Sequence, residues 1–93
     1  MSLENYKEIL QKEGFNHIYE WSDEPGFVYE KHAHKDRVTF YVVSGDLEFC
    51  LPDTTFHLKE GERFDVPVGV EHTAKVGECG CLFVVGEMVK GDS

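Results

Sequence analysis

Residues 26–45 read GFVYEKHAHKDRVTFYVVSG, and residues 61–76 read GERFDVPVGVEHTAKV. The first stretch places His32 and His34 one residue apart in a segment rich in Val, Tyr and Phe. Successive side chains of a strand point to opposite faces, so these two histidines would share a face with Cα atoms about 6.5–7 Å apart. Two imidazoles at that spacing can converge on one metal ion, but two histidines on an exposed strand face have the same spacing, and a third ligand has to be found. His72 supplies the candidate. It opens a β-prone segment just after Pro67-Val68-Gly69, where proline fixes φ and glycine lets backbone pass close to a neighbour. The sequence separation between His32 and His72 is bridged only if the sheet closes on itself.

Working outward, the chain from Phe15 on is a series of short β-prone segments separated by Gly, Pro, Asp and Ser. Strands are expected over residues 15–21, 27–34, 38–43, 47–51, 54–58, 63–66, 72–76 and 81–89. Pro25-Gly26, Ser44-Gly45, Pro52-Asp53 and Gly61 mark the turns, with Ser44-Gly45 and Pro52-Asp53 expected as two-residue hairpins. Before this region, Ser2 can cap a helix over residues 3–13 whose apolar positions Leu3, Tyr6, Ile9 and Leu10 recur every three or four residues. Gly14 ends it. Seven or eight strands in so few residues cannot lie flat without exposing an apolar face, so closure into a barrel or a two-sheet sandwich is expected.

In their spacing these residues resemble the cupin family. Its first motif is G, five residues, H-x-H, three or four residues, E, six residues, G; Gly26, His32, His34 and Gly45 fall in place, and Val38 stands where the glutamate belongs. Its second is G, five residues, P-x-G, two residues, H, three residues, N; Gly61, Pro67, Gly69 and His72 match, and Val76 stands where the asparagine belongs. The resemblance implies an all-β jelly-roll barrel, with the short N-terminal helix added to it and the barrel running over residues 15–89 of a single domain spanning 1–93. It also implies a metal inside the barrel, ligated by His32, His34 and His72. The family's carboxylate ligand is missing, so the site either works with three neutral histidines, as some thiol dioxygenases of the superfamily do, or has lost its metal.

Three imidazoles leave the ion's +2 charge uncompensated beside an apolar Val38, which favours an anionic exogenous ligand at the open positions. Imidazole-only ligation suits Fe, Ni, Co, Cu or Zn better than Mn or Mg. Glu30 shares strand parity with the histidine pair and is a candidate for the missing carboxylate or a general base, against the plainer reading of a solvated charge at the barrel mouth. Phe40 and Val42 share parity with Val38 and should face inward. Tyr29 and Tyr41 read as space-filling residues with tied hydroxyls rather than as acids. His17 and His57 read as surface histidines remote from the motifs. Cys79-Gly80-Cys81 could hold a soft metal, but with only Cys50 elsewhere the cysteines read as small buried hydrophobes, reduced in a cytoplasmic setting.

The composition limits the partners. The 93 residues carry 18 acidic and 9 basic side chains, a net charge of −9, so the field of the molecule repels phosphate backbones and anionic headgroups and neither nucleic acid nor a membrane is an expected partner. Seven Phe, four Tyr and one Trp are too much apolar surface for a disordered acidic tail. A chain of this size buries only about 60–65% of its unfolded surface, and pairing as a homodimer is expected to cover its sheet edges. The functional expectation is a metallo-cupin acting on a small anionic or chelating molecule, with dioxygenase-type chemistry as the leading enzymatic form and catalytic side chains unassigned. Two rivals stand beside it. One is a non-catalytic module that senses or stores a ligand or metal. The other is a sugar isomerase or epimerase, for which only Lys31, Lys35, Arg37 and Arg63 lie near the motifs.

Overall fold

The structure is a computed structural model that describes residues 2–89; Met1 and residues 90–93 of the expected domain lie outside the described residues. The element order is α1 (Leu3–Lys12), β1 (His17–Asp23), β2 (Val28–His32), β3 (Arg37–Cys50), β4 (Thr55–Lys59), β5 (Arg63–Val66) and β6 (His72–Met88). The helix forms where its caps place it. The Ser2 side chain accepts from the Asn5 amide, and at the other end the Gly14 and Phe15 amides return to the carbonyls of Gln11 and Leu10, which satisfies two groups the last turn would otherwise leave open.

Two long strands organise the rest. β3 and β6 run antiparallel along most of their length, and their ladder shifts register between Val42 and Ser44 and again between Gly45 and Leu47. These irregularities bend the pair and divide a continuous antiparallel sheet into two four-stranded halves. One half holds β1, residues 81–88 of β6, residues 37–42 of β3, and β5. The other holds β2, residues 72–76 of β6, residues 46–50 of β3, and β4. The halves face each other across one core: Val38, Phe40, Val42, Val66 and Phe83 come from the first, Leu47, Phe49, Leu58, Ala74 and Val76 from the second. Phe49 meets Phe64 across the gap with ring centroids 4.6 Å apart. This is a jelly-roll arrangement.

The expected hairpin at Ser44-Gly45 is not formed. Ser44 and Gly45 instead sit inside β3 as the bend, and the expected strands 38–43 and 47–51 are its two halves; residues 72–76 and 81–89 likewise belong to β6, which ends at Met88. The residue types that favour a hairpin also favour a bulge, and what decides is the neighbour. Gly45 has φ of +82°, and a Cβ built on it would overlap the carbonyl oxygen of Gly80, so the two bends cross backbone to backbone. The Pro52-Asp53 hairpin forms as expected, with Leu51 and Thr54 exchanging amide-carbonyl hydrogen bonds, and the chain turns again at Gly61, where the Glu62 amide reaches the Lys59 carbonyl.

α1 lies on the outer face of the first half. Tyr6 and Leu10 are buried with Phe15, Tyr41 and Val84, and the Tyr6 ring stacks on Tyr41 at 4.4 Å. A Cβ on Gly86 would come within 3.1 Å of both Leu10 Cδ1 and Phe15 Cγ, so the bare glycine is what lets this cluster settle on the strand. Arg63 pins the helix end from β5 through two contacts to Glu13, at 2.6 and 2.7 Å. With the outer face so covered, the inner faces are left to form a cavity.

Candidate metal centre

His32 ends β2 and His72 begins β6, and the two are register partners across the β2–β6 ladder. That ladder shifts between Tyr29 and His32, so Tyr29 and His32, three residues apart, both turn into the cavity. His34 does not share a strand with His32, contrary to the expected 27–34 segment: β2 stops at His32, and His34 stands on the loop before β3. Its place is set by the turn the sequence singled out. With φ of +75° at Gly69, the Pro67–Val70 turn closes and the Gly69 amide donates to the His34 carbonyl at 2.9 Å. The turn before the third histidine thereby holds the backbone of the second.

The three imidazoles come together, each offering a ring nitrogen within 4.8 Å of the others. His32 Nδ1 lies 2.6 Å from the Glu30 carbonyl and His72 Nδ1 lies 3.1 Å from the Val70 carbonyl. A carbonyl only accepts, so both Nδ1 atoms carry their protons, and the neutral form of each ring presents its lone pair at Nε2. Those two Nε2 atoms face each other at 3.2 Å. A metal ion about 2.05 Å from each of two imidazole nitrogens at a tetrahedral angle sets them about 3.3 Å apart, so the donor set fits a divalent ion. Phe49 stacks on the His72 ring with centroids 4.7 Å apart. Burial, and secondarily the neighbouring imidazoles, hold His34 below its ordinary pKa; burial likewise lowers His72, partly offset by the Val70 carbonyl. Both rings are thus kept in the neutral form that ligates.

The cavity beside the centre measures about 520 Å³. Val38 and Phe40 line it as expected, whereas Val42 is packed into the core below. Tyr29 lines it with its hydroxyl committed to Asp23, which also accepts from Trp21 Nε1 at 3.0 Å. Glu30 contributes its carbonyl and not its carboxylate, which is exposed and away from the cavity. Tyr41 is on the outer face beneath α1. His57 is exposed on β4 and pairs with Asp46 at 2.8 Å, but His17, read from sequence as a remote surface residue, rims the cavity. The cysteines are free thiols: Cys81 is buried in the core, Cys79 is exposed and Cys50 is half-buried. Among the described residues no helix is long and apolar enough to cross a membrane.

The sequence reading missed Tyr19, Trp21 and Glu87, all of which line the cavity. The ladder explains them. His17, Tyr19 and Trp21 pair with Glu87, Val85 and Phe83, and those pair in turn with Val38, Phe40 and Val42, so all nine face inward together. A strand was expected over residues 15–21, but which of its faces is inner depends on its pairing with β6.

The family model described as Cupin domain matches residues 19–84, well over half of the chain. Among solved structures, a cupin-2 domain containing protein from Shewanella frigidimarina is 26% identical, with a TM-score of 0.67 over 77% of this chain and 69% of that one. A double-stranded β-helix domain protein from Klebsiella pneumoniae is 27% identical, with a TM-score of 0.66 over 76% of this chain and 64% of that one. An oxalate decarboxylase from Bacillus subtilis, described with Mn(II) centres, aligns with a TM-score of 0.71 at 23% identity; the match covers 82% of this chain but 22% of that one. No curated protein matches the chain.

Proposed function

The chain belongs to the cupin domain family, and on that premise we propose that it binds one divalent transition metal through His32, His34 and His72 and acts on a small anionic or chelating organic molecule in the adjoining cavity. The observation that carries this is the pair of Nε2 atoms of His32 and His72 at 3.2 Å, each ring donating from Nδ1 to a backbone carbonyl and so turning Nε2 toward the shared centre. When bound, the ion supplies a Lewis acid or, as iron, the redox capacity that dioxygenase-type chemistry uses. The chain's own part is to hold His34 and His72 neutral, to leave coordination positions open beside Val38, and to surround the bound molecule with Phe40, Phe49, Phe83 and Val85. No lysine or arginine lines the cavity among the described residues, so a phosphorylated sugar would meet no side-chain cation there, and the isomerase or epimerase reading gains no support.

The test is elemental analysis of protein purified without a histidine tag. Close to one Fe, Ni, Co, Cu or Zn per chain is expected, with loss of that metal in His72→Ala. Metal at a thousand times its Kd should stabilise the wild type by about 4 kcal/mol. Substoichiometric metal that His72→Ala leaves unchanged defeats the proposal. Oxygen consumption or product formation by the Fe(II)-loaded protein across a panel of small acids and thiols then separates an enzyme from a binding module. Tight binding with no turnover favours the module.

A further inference from the structure

The cavity has two chemically different walls. The three histidines stand on the second half of the jelly roll and its adjoining loop, and Glu87 stands on the inner face of the first, between its register partners His17 and Val38. Glu87 is the one acidic residue among those lining the cavity, and no lysine or arginine accompanies it there. Its Oε2 accepts from the Tyr19 hydroxyl at 2.5 Å. Among the described residues, Oε1 has no hydrogen-bond partner. Burial and the adjacent carboxylate push the Tyr19 hydroxyl well above its ordinary pKa, so it remains a proton-bearing donor that fixes how the carboxylate points. Glu87 is half-buried, and an anionic oxygen left free in a cavity lined mainly by aromatic and aliphatic side chains offers a charge-assisted hydrogen bond to a cationic donor that enters it. It also repels a ligand whose far end is negative.

We infer that Glu87, positioned by Tyr19, determines specificity in this cavity, and that the molecule taken at the three-histidine centre carries a cationic hydrogen-bond donor, such as an ammonium group, at the end opposite its metal-binding head. This rests on the metal-binding reading and deepens it by naming the ligand as dipolar. Tyr19 acts through Glu87 and is a positioning residue.

The experiment uses Co(II)-loaded protein, followed by its visible absorption, and three probes with one chelating head: β-alanine hydroxamate with an ammonium tail, butyrohydroxamate with a neutral tail, and succinic monohydroxamate with a carboxylate tail. The ammonium probe should bind at least about tenfold more tightly than the carboxylate probe, with the neutral one between them. Glu87→Gln should collapse that ratio to within about twofold while Co(II) stoichiometry stays near one. Tyr19→Phe, which leaves the carboxylate in place without its donor, should reduce the ratio part of the way. Equal affinities in the wild type, or a preference that survives Glu87→Gln, overturn the inference while leaving the metal centre standing. Failure of the wild type to take up Co(II) overturns both.

Discussion

Replacing Gly45 with alanine should cost more than replacing Gly61, although both glycines hold the same kind of backbone, with φ of +82° and +87°. Forcing a Cβ into that region costs about 1–2 kcal/mol at either position. The entropy that alanine removes from the unfolded chain offsets part of this, and does so equally at both. Their surroundings differ. No atom lies within 4 Å of a Cβ at Gly61, whereas at Gly45 the new methyl would overlap the Gly80 carbonyl oxygen and lie 2.9 Å from its carbon and 3.0 Å from Cys81 Cα. Backbone cannot rotate away as a side chain does, so β3 and β6 must part there and give up one or two ladder hydrogen bonds, at about 0.5–1.5 kcal/mol each. Gly45→Ala should therefore exceed Gly61→Ala by about 0.5–3 kcal/mol, equivalent to a further fall in Tm of at least about 2 °C for a domain of this size. Urea titrations followed by circular dichroism read the difference directly. Equal losses would show that Gly45 and Gly80 do not cross as described, and the bend that faces the two halves toward each other would need another cause.

Two other expectations follow from the titrating groups. His34 and His72 are held below their ordinary value of 6.5 in the folded chain, mainly by burial, so below pH 6.5 the unfolded chain binds protons that the folded one refuses. Stability of the metal-free protein should be level above that point and fall as the pH drops from 6.5 toward 5; His34→Gln with His72→Gln should flatten the slope, and a slope the double variant leaves unchanged would assign it to other groups. Burial, reinforced by Asp46 and Asp23, pushes the Cys81 thiol up to about 12, whereas Cys79 is exposed. Iodoacetamide at pH 8 should label Cys79 and spare Cys81 until the protein unfolds, as peptide mass spectrometry would show, and early labelling of Cys81 would contradict its place in the core.

The helix, its two caps, the Pro52-Asp53 hairpin and the three histidines were legible because each is specified by residues close together in the sequence or by a fixed spacing. What was not legible depends on partners far along the chain. Ser44-Gly45 looks like a hairpin until Gly80 is seen beneath it, and His34 looks like a strand residue until Gly69 is seen to hold its carbonyl in a loop. Glu30 was a reasonable carboxylate by parity, yet the register shift between Tyr29 and His32 changes which residues of β2 face inward. Tyr19 and Glu87 are separated by most of the chain and meet only because β1 and β6 are neighbours. No local pattern marks that pairing.

Val38, which stands where the cupin motif has glutamate, and Glu87 are neighbours in the fold. The two residues are register partners on adjacent strands and face the same way, so the backbone that carries the Glu87 carboxylate stands one strand, about 5 Å, from that of Val38. Glu87 is not among the clustered donors, which are His32, His34 and His72, lying within 4.8 Å of one another, so it leaves the coordination positions beside Val38 open to an incoming anion. The Glu87 carboxylate lines the same cavity, and its field reaches His34, where it opposes the lowering that burial imposes. A site built this way asks for a negative head at the histidines and a positive tail at Glu87. Val38→Glu should blunt that order of charge: it would place a carboxylate beside the metal, weaken the hold on an anionic head, and leave Glu87 facing another carboxylate across the ladder.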